Sequence, residues 1–347
     1  MFNTYLEKEG KKMFTKYFVT GATGFLGTAV ISRLMTQTAD IYALVLKDDP
    51  LAASLPEGIH VLTGNVCDPS SVDSFLDGAD GQSCVIHCAG IVSVASHPGK
   101  LLYDVNVGGT KNIVKSCISH GVGKLVYVSS VHALAERPKG VEADAEAESF
   151  DPEKLVGDYA KSKAMATRIV LNAAKKSLNA SVVLPSGIIG PGDTAGGSIT
   201  ELLLSFLAGK LPVAVKGGYD FVDVRDVAAG IVSCAENGVR GKCYILSGHY
   251  ATIRDILETV AKNTGIKKVV SYIPIALAKI VAPFYELNSI RKKKKLFFTP
   301  YAVRVLQSNA LFSEKAAKND LGYAPRSLKE TLSDTVKWLK RSRLATT

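Results

Sequence analysis

Residues 159–163 read Tyr-Ala-Lys-Ser-Lys. Residues four apart on a helix are neighbours, so Tyr159 and Lys163 stand one turn apart on one face. A phenol beside an ammonium is a candidate proton donor and acceptor, because the opposite charge favours the phenolate. The same spacing also arises by chance on wet helix faces, so the reading turns on what else the chain places around the pair. Lys161 points away from Lys163 round the helix and reads as a solvent-side or partner-facing charge.

A second chemical signal is Thr20-Gly21-Ala22-Thr23-Gly24-Phe25-Leu26-Gly27, which follows an apolar run and opens a helical pattern. In that context the glycines have separate jobs. One makes the tight turn, one lets the backbone approach a pyrophosphate, and the third lets the helix pack closely. The helix start then offers N–H groups and a positive dipole end to phosphate. Gly21, Thr23, Gly24, Phe25, Leu26 and Gly27 are therefore candidate cofactor contacts. A NAD site usually has an acid at the end of the second strand. That position falls on Val45, and Leu46 and Lys47 follow. Lys47 could pair with a 2′-phosphate, which favours NADP. Asp48 reaching back to the ribose would favour NAD instead.

These residues need elements to hold them. Up to about residue 190, apolar runs at 16–20, 41–46, 60–66, 83–90, 124–130 and 180–187 alternate with helical patterns, among them 103–121 and 154–177. Val/Ile/Leu-rich strands alternating with helices predict an α/β fold, a Rossmann-type doubly wound parallel sheet. Ligands of such sheets sit beyond the carboxyl ends of the strands. After residue 190 the alternation breaks down. We expect a dinucleotide-binding domain over 13–190, with 221–248 returning to it. A smaller C-terminal substrate-binding lobe is expected over 191–220 and 249–347, and a polar N-terminal extension over 1–12.

The chain has 347 residues, 47% apolar and 21% charged, which excludes disordered and collagen-like classes. Its six cysteines form no C-x-x-C pair and show no metal spacing. They read as reduced, buried thiols of a cytoplasmic protein. The N-terminus has no signal-peptide pattern, and no apolar run reaches membrane-spanning length. All of the net charge of +10 lies from Arg291 onward, where 14 Lys/Arg meet 4 Asp/Glu. No nucleic-acid motif accompanies it. The apolar stretch from Ile273 followed by Arg291-Lys292-Lys293-Lys294-Lys295 reads as a lid or core helix with a solvated basic end. Weak peripheral contact of 273–295 with an anionic membrane is the alternative.

Taken in order, TGATGFLG (20–27), GNVCD (64–68), VIHCAG (85–90), NVGGTKN (106–112), VYVSS (126–130), YAKSK (159–163), LPSGIIGPGD (184–193) and FVDVRDVA (221–228) resemble the extended short-chain dehydrogenase/reductases of the NAD-dependent epimerase/dehydratase superfamily. The ending, with Lys315-Ala316 and Leu321-Gly322-Tyr323-Ala324-Pro325 before the last helix, is similar to the 3β-hydroxysteroid dehydrogenase and dihydroflavonol 4-reductase branch. The resemblance implies that Tyr159, Lys163 and Ser130 are catalytic. It implies Asn65 and Val66 beside the adenine, Ala89 and Gly90 along the cofactor, Asn106 on the helix after strand four, and Pro185, Ser186, Gly187 and Ile188 over the nicotinamide. Two positions depart from the pattern: Asn65 stands where the family usually has Asp, and Leu184 where the sugar-nucleotide enzymes commonly carry Arg.

The chemistry then follows. Hydride transfer to a ketone builds negative charge on oxygen, which needs a positioned acid and a second donor. Tyr159 is the acid, its pKa expected to be lowered by Lys163, and Ser130 is the second donor. The expected activity is NADP(H)-dependent interconversion of a ketone and a secondary alcohol on an apolar, ring-containing small molecule, with NAD as the other possible cofactor. The rival readings are a nucleotide-sugar epimerase or dehydratase with tightly bound NAD, and a cofactor-sensing regulator. His87 reads as a satisfied core histidine. His132, two residues past Ser130, could face the substrate. A homodimer is a further expectation from the resemblance.

Overall fold

The computed structural model describes residues 14–96, 98–146, 148–266, 270–292 and 296–342. The expected extension at 1–12 and residues 293–295 of the basic run lie outside the described residues. The first apolar run becomes β1 (Lys16–Thr20), and the glycine loop leads into α1 (Phe25–Leu34). Next come β2 (Asp40–Val45), β3 (His60–Thr63), α2 (Pro69–Phe75) and β4 (Ser83–His87). The following helix is not uniform: α3 (Lys100–Tyr103) passes through a π-helical stretch, Asp104–Gly109, into α4 (Thr110–Ser119). β5 (Lys124–Val128), α5 (Asp158–Lys176) and β6 (Ala180–Pro185) complete the alternating half. The sequence pattern places the start of the long helix at Lys154. A short 3-10 turn over Pro152–Lys154 stands there instead, and α5 begins after Gly157.

The remaining elements are β7 (Gly187–Ile189), α6 (Ser198–Leu207), β8 (Val213–Val215), β9 (Gly218–Asp223), α7 (Val224–Asn237), β10 (Cys243–Leu246), β11 (His249–Thr252), α8 (Ile253–Thr264), β12 (Ser271–Ile273), α9 (Ile275–Arg291), α10 (Pro300–Val305), α11 (Lys315–Leu321) and α12 (Leu328–Ser342). Seven strands form one sheet in the order β10-β6-β5-β4-β1-β2-β3, with every neighbouring pair parallel. This is the doubly wound arrangement, reversing direction between β1 and β4. Two smaller sheets, β11-β9-β7 and β12-β8, lie outside it.

Successive strand residues face opposite layers. In β1, Tyr17 and Val19 join a core built with Val30 and Ile31 of α1 and Val227 and Ile231 of α7. Phe18 joins the other core, with Phe75, Ile113 and Val170 of α2, α4 and α5. FVDVRDVA supplies the joint to the tail. Asp223 caps α7 through Arg225 N at 2.8 Å, Arg225 bridges on to Asp334 of α12 at 2.9 Å, and Arg326 pairs with Asp226 at 2.9 Å. Tyr323 of the LGY-x-P element is buried and donates to Ser247 O at 2.7 Å. That element is thus a clamp fastening the C-terminal helix to the sheet half.

Candidate active site

The loop after β1 is shaped for close approach. Gly21 has φ +67°, and a Cβ there would lie 2.7 Å from Ala89 N, so the loop crosses directly over the end of β4. A Cβ on Gly27 would lie 2.0 Å from Gly21 O, which is how α1 seats against the loop. No side chain caps α1, and its first turn, with Phe25 and Leu26, carries no acid. Its first N–H groups and its positive dipole end are left for an anion. Thr23 donates to Asp49 Oδ2 at 2.7 Å, and Asp49 Oδ1 accepts from Leu51 N at 2.9 Å. The acid tied to the glycine loop is therefore Asp49, not Asp48, which is exposed at φ +63°. Lys47 is exposed beside them.

The end of β5 separates the two serines of VYVSS. Ser129 turns into the core and shares a 2.6 Å hydrogen bond with Thr167 of α5. Ser130 turns the other way, its Oγ accepting from His132 N at 3.2 Å. The inner stripe of α5 carries Tyr159, Ala160, Lys163, Ala164, Thr167 and Val170, so the Tyr159–Lys163 pair is buried with its helix. Lys163 Nζ donates to Val128 O at 2.7 Å and lies 3.4 Å from the Tyr127 hydroxyl. Burial pulls its pKa down to about 8. Burial pushes Tyr159 up to about 12, and the Ser130 hydroxyl acts in the opposite direction. The expectation that Lys163 lowers Tyr159 is thus corrected for the protein alone. Desolvation sets the direction, and the Lys163 ammonium is turned to the end of β5.

Asn106 sits buried in the π-helical stretch. Such stretches recur where a side chain must be re-aimed. Its Oδ1 accepts from Ile91 N at 2.8 Å, and its Nδ2 donates to Ile91 O and Ser162 Oγ, both at 3.0 Å. Both amide hydrogens are thereby used to bolt the segment leaving β4 to α5 at Ser162, the residue before Lys163. Gly90 next to it is bare: a Cβ would come within 3.2 Å of Asn106 Oδ1 and 3.5 Å of Lys163 Nζ. Pro185 ends β6, Ser186 links it to β7, and Gly187 and Ile188 begin β7. Ser186 is buried beside the Asp220 carboxylate, where its hydroxyl acts against the upward pull of burial on that acid. Asn65 is exposed after β3, its Oδ1 accepting from Cys67 N at 2.9 Å, and Val66 is buried behind it. The glycine loop, Lys47, Asn65, Gly90, Ser130 and Pro185 all follow the carboxyl ends of strands of the main sheet. An uncapped helix start and a bare Gly90 suit a dinucleotide laid across those ends.

His87 is a core histidine, bonded to Thr20 Oγ1 at 2.7 Å and Thr110 Oγ1 at 3.1 Å, with burial holding its pKa down at about 3. His132 is different. Its ring stacks on Tyr219, stands edge-on to Tyr159 at 5.7 Å, and hydrogen-bonds Tyr219 OH at 3.3 Å and Tyr301 OH at 3.1 Å. Burial lowers its pKa to about 4, so at neutral pH it is uncharged, with one donor and one acceptor nitrogen. Tyr219 and Tyr301 come from the chain beyond residue 190, where motif spacing offered no signal for them. A cavity of about 110 Å³ opens beside this cluster, lined by His132, Tyr219, Tyr301, Leu134 and Phe312 among others. Two arginines on its wall are each paired, Arg137 with Glu148 and Arg304 with Glu136.

Comparison with known proteins fits this geometry. Residues 17–247 match the family model described as NAD dependent epimerase/dehydratase family. The chain is 28% identical to sterol demethylase protein B of Methylococcus capsulatus, over 93% of this chain and 97% of that protein. It is 30% identical to a putative dihydroflavonol 4-reductase of Synechocystis, over 93% of this chain and 94% of the relative. The crystal structure of gox2253 superposes with a TM-score of 0.81 at 29% identity, covering 95% of this chain and 99% of that one.

Proposed function

The chain belongs to the NAD dependent epimerase/dehydratase family, and from that premise we propose that it interconverts a ketone and a secondary alcohol on an apolar, ring-containing small molecule, with NADP(H) as its carrier. The observation that carries this reading is the burial of Ser130, Tyr159 and Lys163 together, with Tyr159 edge-on to His132, which lines an aromatic-walled cavity. The names of two relatives, a sterol demethylase protein and a dihydroflavonol 4-reductase, point to polycyclic substrates and support the choice of class. Pairing of Arg137 and Arg304 with acids suits a neutral substrate better than a diphosphate.

When bound, the nicotinamide supplies or takes the hydride. Tyr159, kept protonated by burial, gives its proton to the carbonyl oxygen. Ser130 donates a hydrogen bond to the same oxygen as charge builds there. Lys163 holds a positive charge behind Tyr159 and can bond the nicotinamide ribose. The start of α1 and Gly21 to Gly27 would hold the pyrophosphate, Lys47 would pair with a 2′-phosphate, and Pro185 to Ile188 with Gly90 would flank the nicotinamide. The free cysteines among the described residues support a reducing, cytoplasmic setting, and the family pattern supports a homodimer.

The test is oxidation of NADPH and of NADH by purified protein against steroid, flavonoid and aldehyde carbonyls. No absorbance change with any of them overturns the reading, and co-purification of stoichiometric NAD points to the sugar-nucleotide alternative. Lys47→Ala should raise KM for NADPH well above its effect on NADH, and equal effects discard the NADP assignment.

A further inference from the structure

Helix α9 (Ile275–Arg291) is built inside out. Its buried positions are Ala278, Ala282, Glu286 and Ser289, three small residues and an acid. Its large apolar residues face outward: Phe284 is 72% exposed, Ile280 64%, and Leu277, Val281, Leu287 and Ile290 are exposed with them. A surface helix of a soluble domain shows the reverse pattern. The inner side is fully committed. Ala278 and Ala282 pack on Val215 and Val303. Glu286 takes the N–H of Ser96 at 2.8 Å and its hydroxyl at 2.7 Å.

The charge on the outer side has one sign. Between Val270 and Thr299 the sequence holds six basic residues and a single acid, and that acid is Glu286, turned inward. Lys279, Arg291 and Lys292 are exposed with the apolar face. No helix among the described residues is long and apolar enough to cross a membrane. We propose that the outer face of α9 lies in the interface of an anionic lipid bilayer, with Ile280, Phe284 and Leu287 among the acyl chains and Lys279, Arg291 and Lys292 against the headgroups. A second copy is the poorer occupant, since a two-fold pairing through this face would bring the same cations together. The inference does not depend on which carbonyl the site reduces.

The experiment is co-sedimentation of the full chain with phosphatidylcholine vesicles, with and without phosphatidylglycerol, at low and high salt. Binding should need the anionic lipid and weaken with salt. The double variant Ile280→Ser, Phe284→Ser should bind at least about tenfold less tightly, with melting temperature and nucleotide binding unchanged because both side chains are exposed. Arg291→Gln with Lys292→Gln should cost about fivefold per charge removed. No binding, or equal binding to neutral vesicles at every salt, overturns the proposal. So does a wild-type dimer that the Ser double variant dissociates while neither protein binds vesicles, which assigns the face to a second copy.

Discussion

Lys163→Met should stabilise the protein at neutral pH while abolishing turnover. Burial drops the Lys163 pKa from its ordinary 10.5 to about 8, so the folded state carries its ammonium at a cost. At about 1.36 kcal/mol per pH unit, that cost is roughly 3 kcal/mol at pH 7. It is constant below pH 8, where folded and unfolded chains both hold the proton. Between about 8 and 10.5 only the unfolded chain holds it, so the wild type gains stability as pH rises through that window. Methionine keeps the apolar stem and removes the charge. It also removes the hydrogen bond to Val128 O at 2.7 Å, a loss of about 1 kcal/mol. The net gain is therefore roughly 2 kcal/mol at pH 7, a rise of a few degrees in melting temperature. It should shrink to nothing and then reverse as pH approaches 10. Thermal or urea unfolding of the two cofactor-free proteins across that range reads the difference directly, because the other titrating groups are common to both. A methionine variant less stable at pH 7, or a stability difference that does not move with pH, refutes the reasoning.

Tyr159→Phe should lower kcat by about 10²–10⁴-fold and leave the nucleotide dissociation constant nearly unchanged in a fluorescence titration; surviving activity would remove Tyr159 as the acid. His132→Phe keeps the ring but strips the hydrogen bonds to Tyr219 and Tyr301, so KM for the carbonyl should shift more than KM for the nucleotide. Because burial holds His132 at about 4, the wild type loses stability as pH falls from about 6.5 toward that value, the unfolded chain taking a proton that the folded one refuses. The Phe variant should lose less in an acid titration followed by circular dichroism. Arg326→Ala leaves Asp226 and the buried Asp223 short of a cation. It should cost about 2–3 kcal/mol in urea unfolding, with kcat of the folded enzyme unchanged.

Much of this was legible in the chain, for identifiable reasons. Strands buried on both faces are written as continuous Val/Ile/Leu runs, so the six strands of the alternating half appear within a few residues of their predicted places. The glycine loop and the Tyr159–Lys163 pair were legible because both depend on spacing within one element. Residues that meet only through the fold were not. Tyr219 and Tyr301 reach His132 from β9 and α10, 82 positions apart in sequence and with no local pattern marking either. The tie of Asp49 to the glycine loop was missed for a smaller reason. The positive φ of Asp48 turns the chain by one residue, so the neighbouring carboxylate meets Thr23. The π-helical stretch also escaped a 3.6-residue reading, since it changes the period where Asn106 must turn toward Ile91.

Two buried lysines separate structural from functional charge. Lys124 and Lys163 are both nearly inaccessible. Lys124 Nζ is met by Asn179 Oδ1 at 3.2 Å, Ser181 Oγ at 2.7 Å and Gly238 O at 2.6 Å, a set of acceptors that accounts for all three ammonium hydrogens. Lys163 Nζ has one short acceptor, Val128 O, and a long contact to Tyr127. Its remaining side faces Gly90, the position where a side chain would fill the space. A lysine serving only to pack would gain by collecting acceptors as Lys124 does. An ammonium held by one short hydrogen bond and the Tyr127 ring, one turn from a buried phenol and against a bare glycine, lowers stability and leaves room for another molecule to complete its shell. The energetic deficit at Lys163 is the quantity that the methionine variant measures.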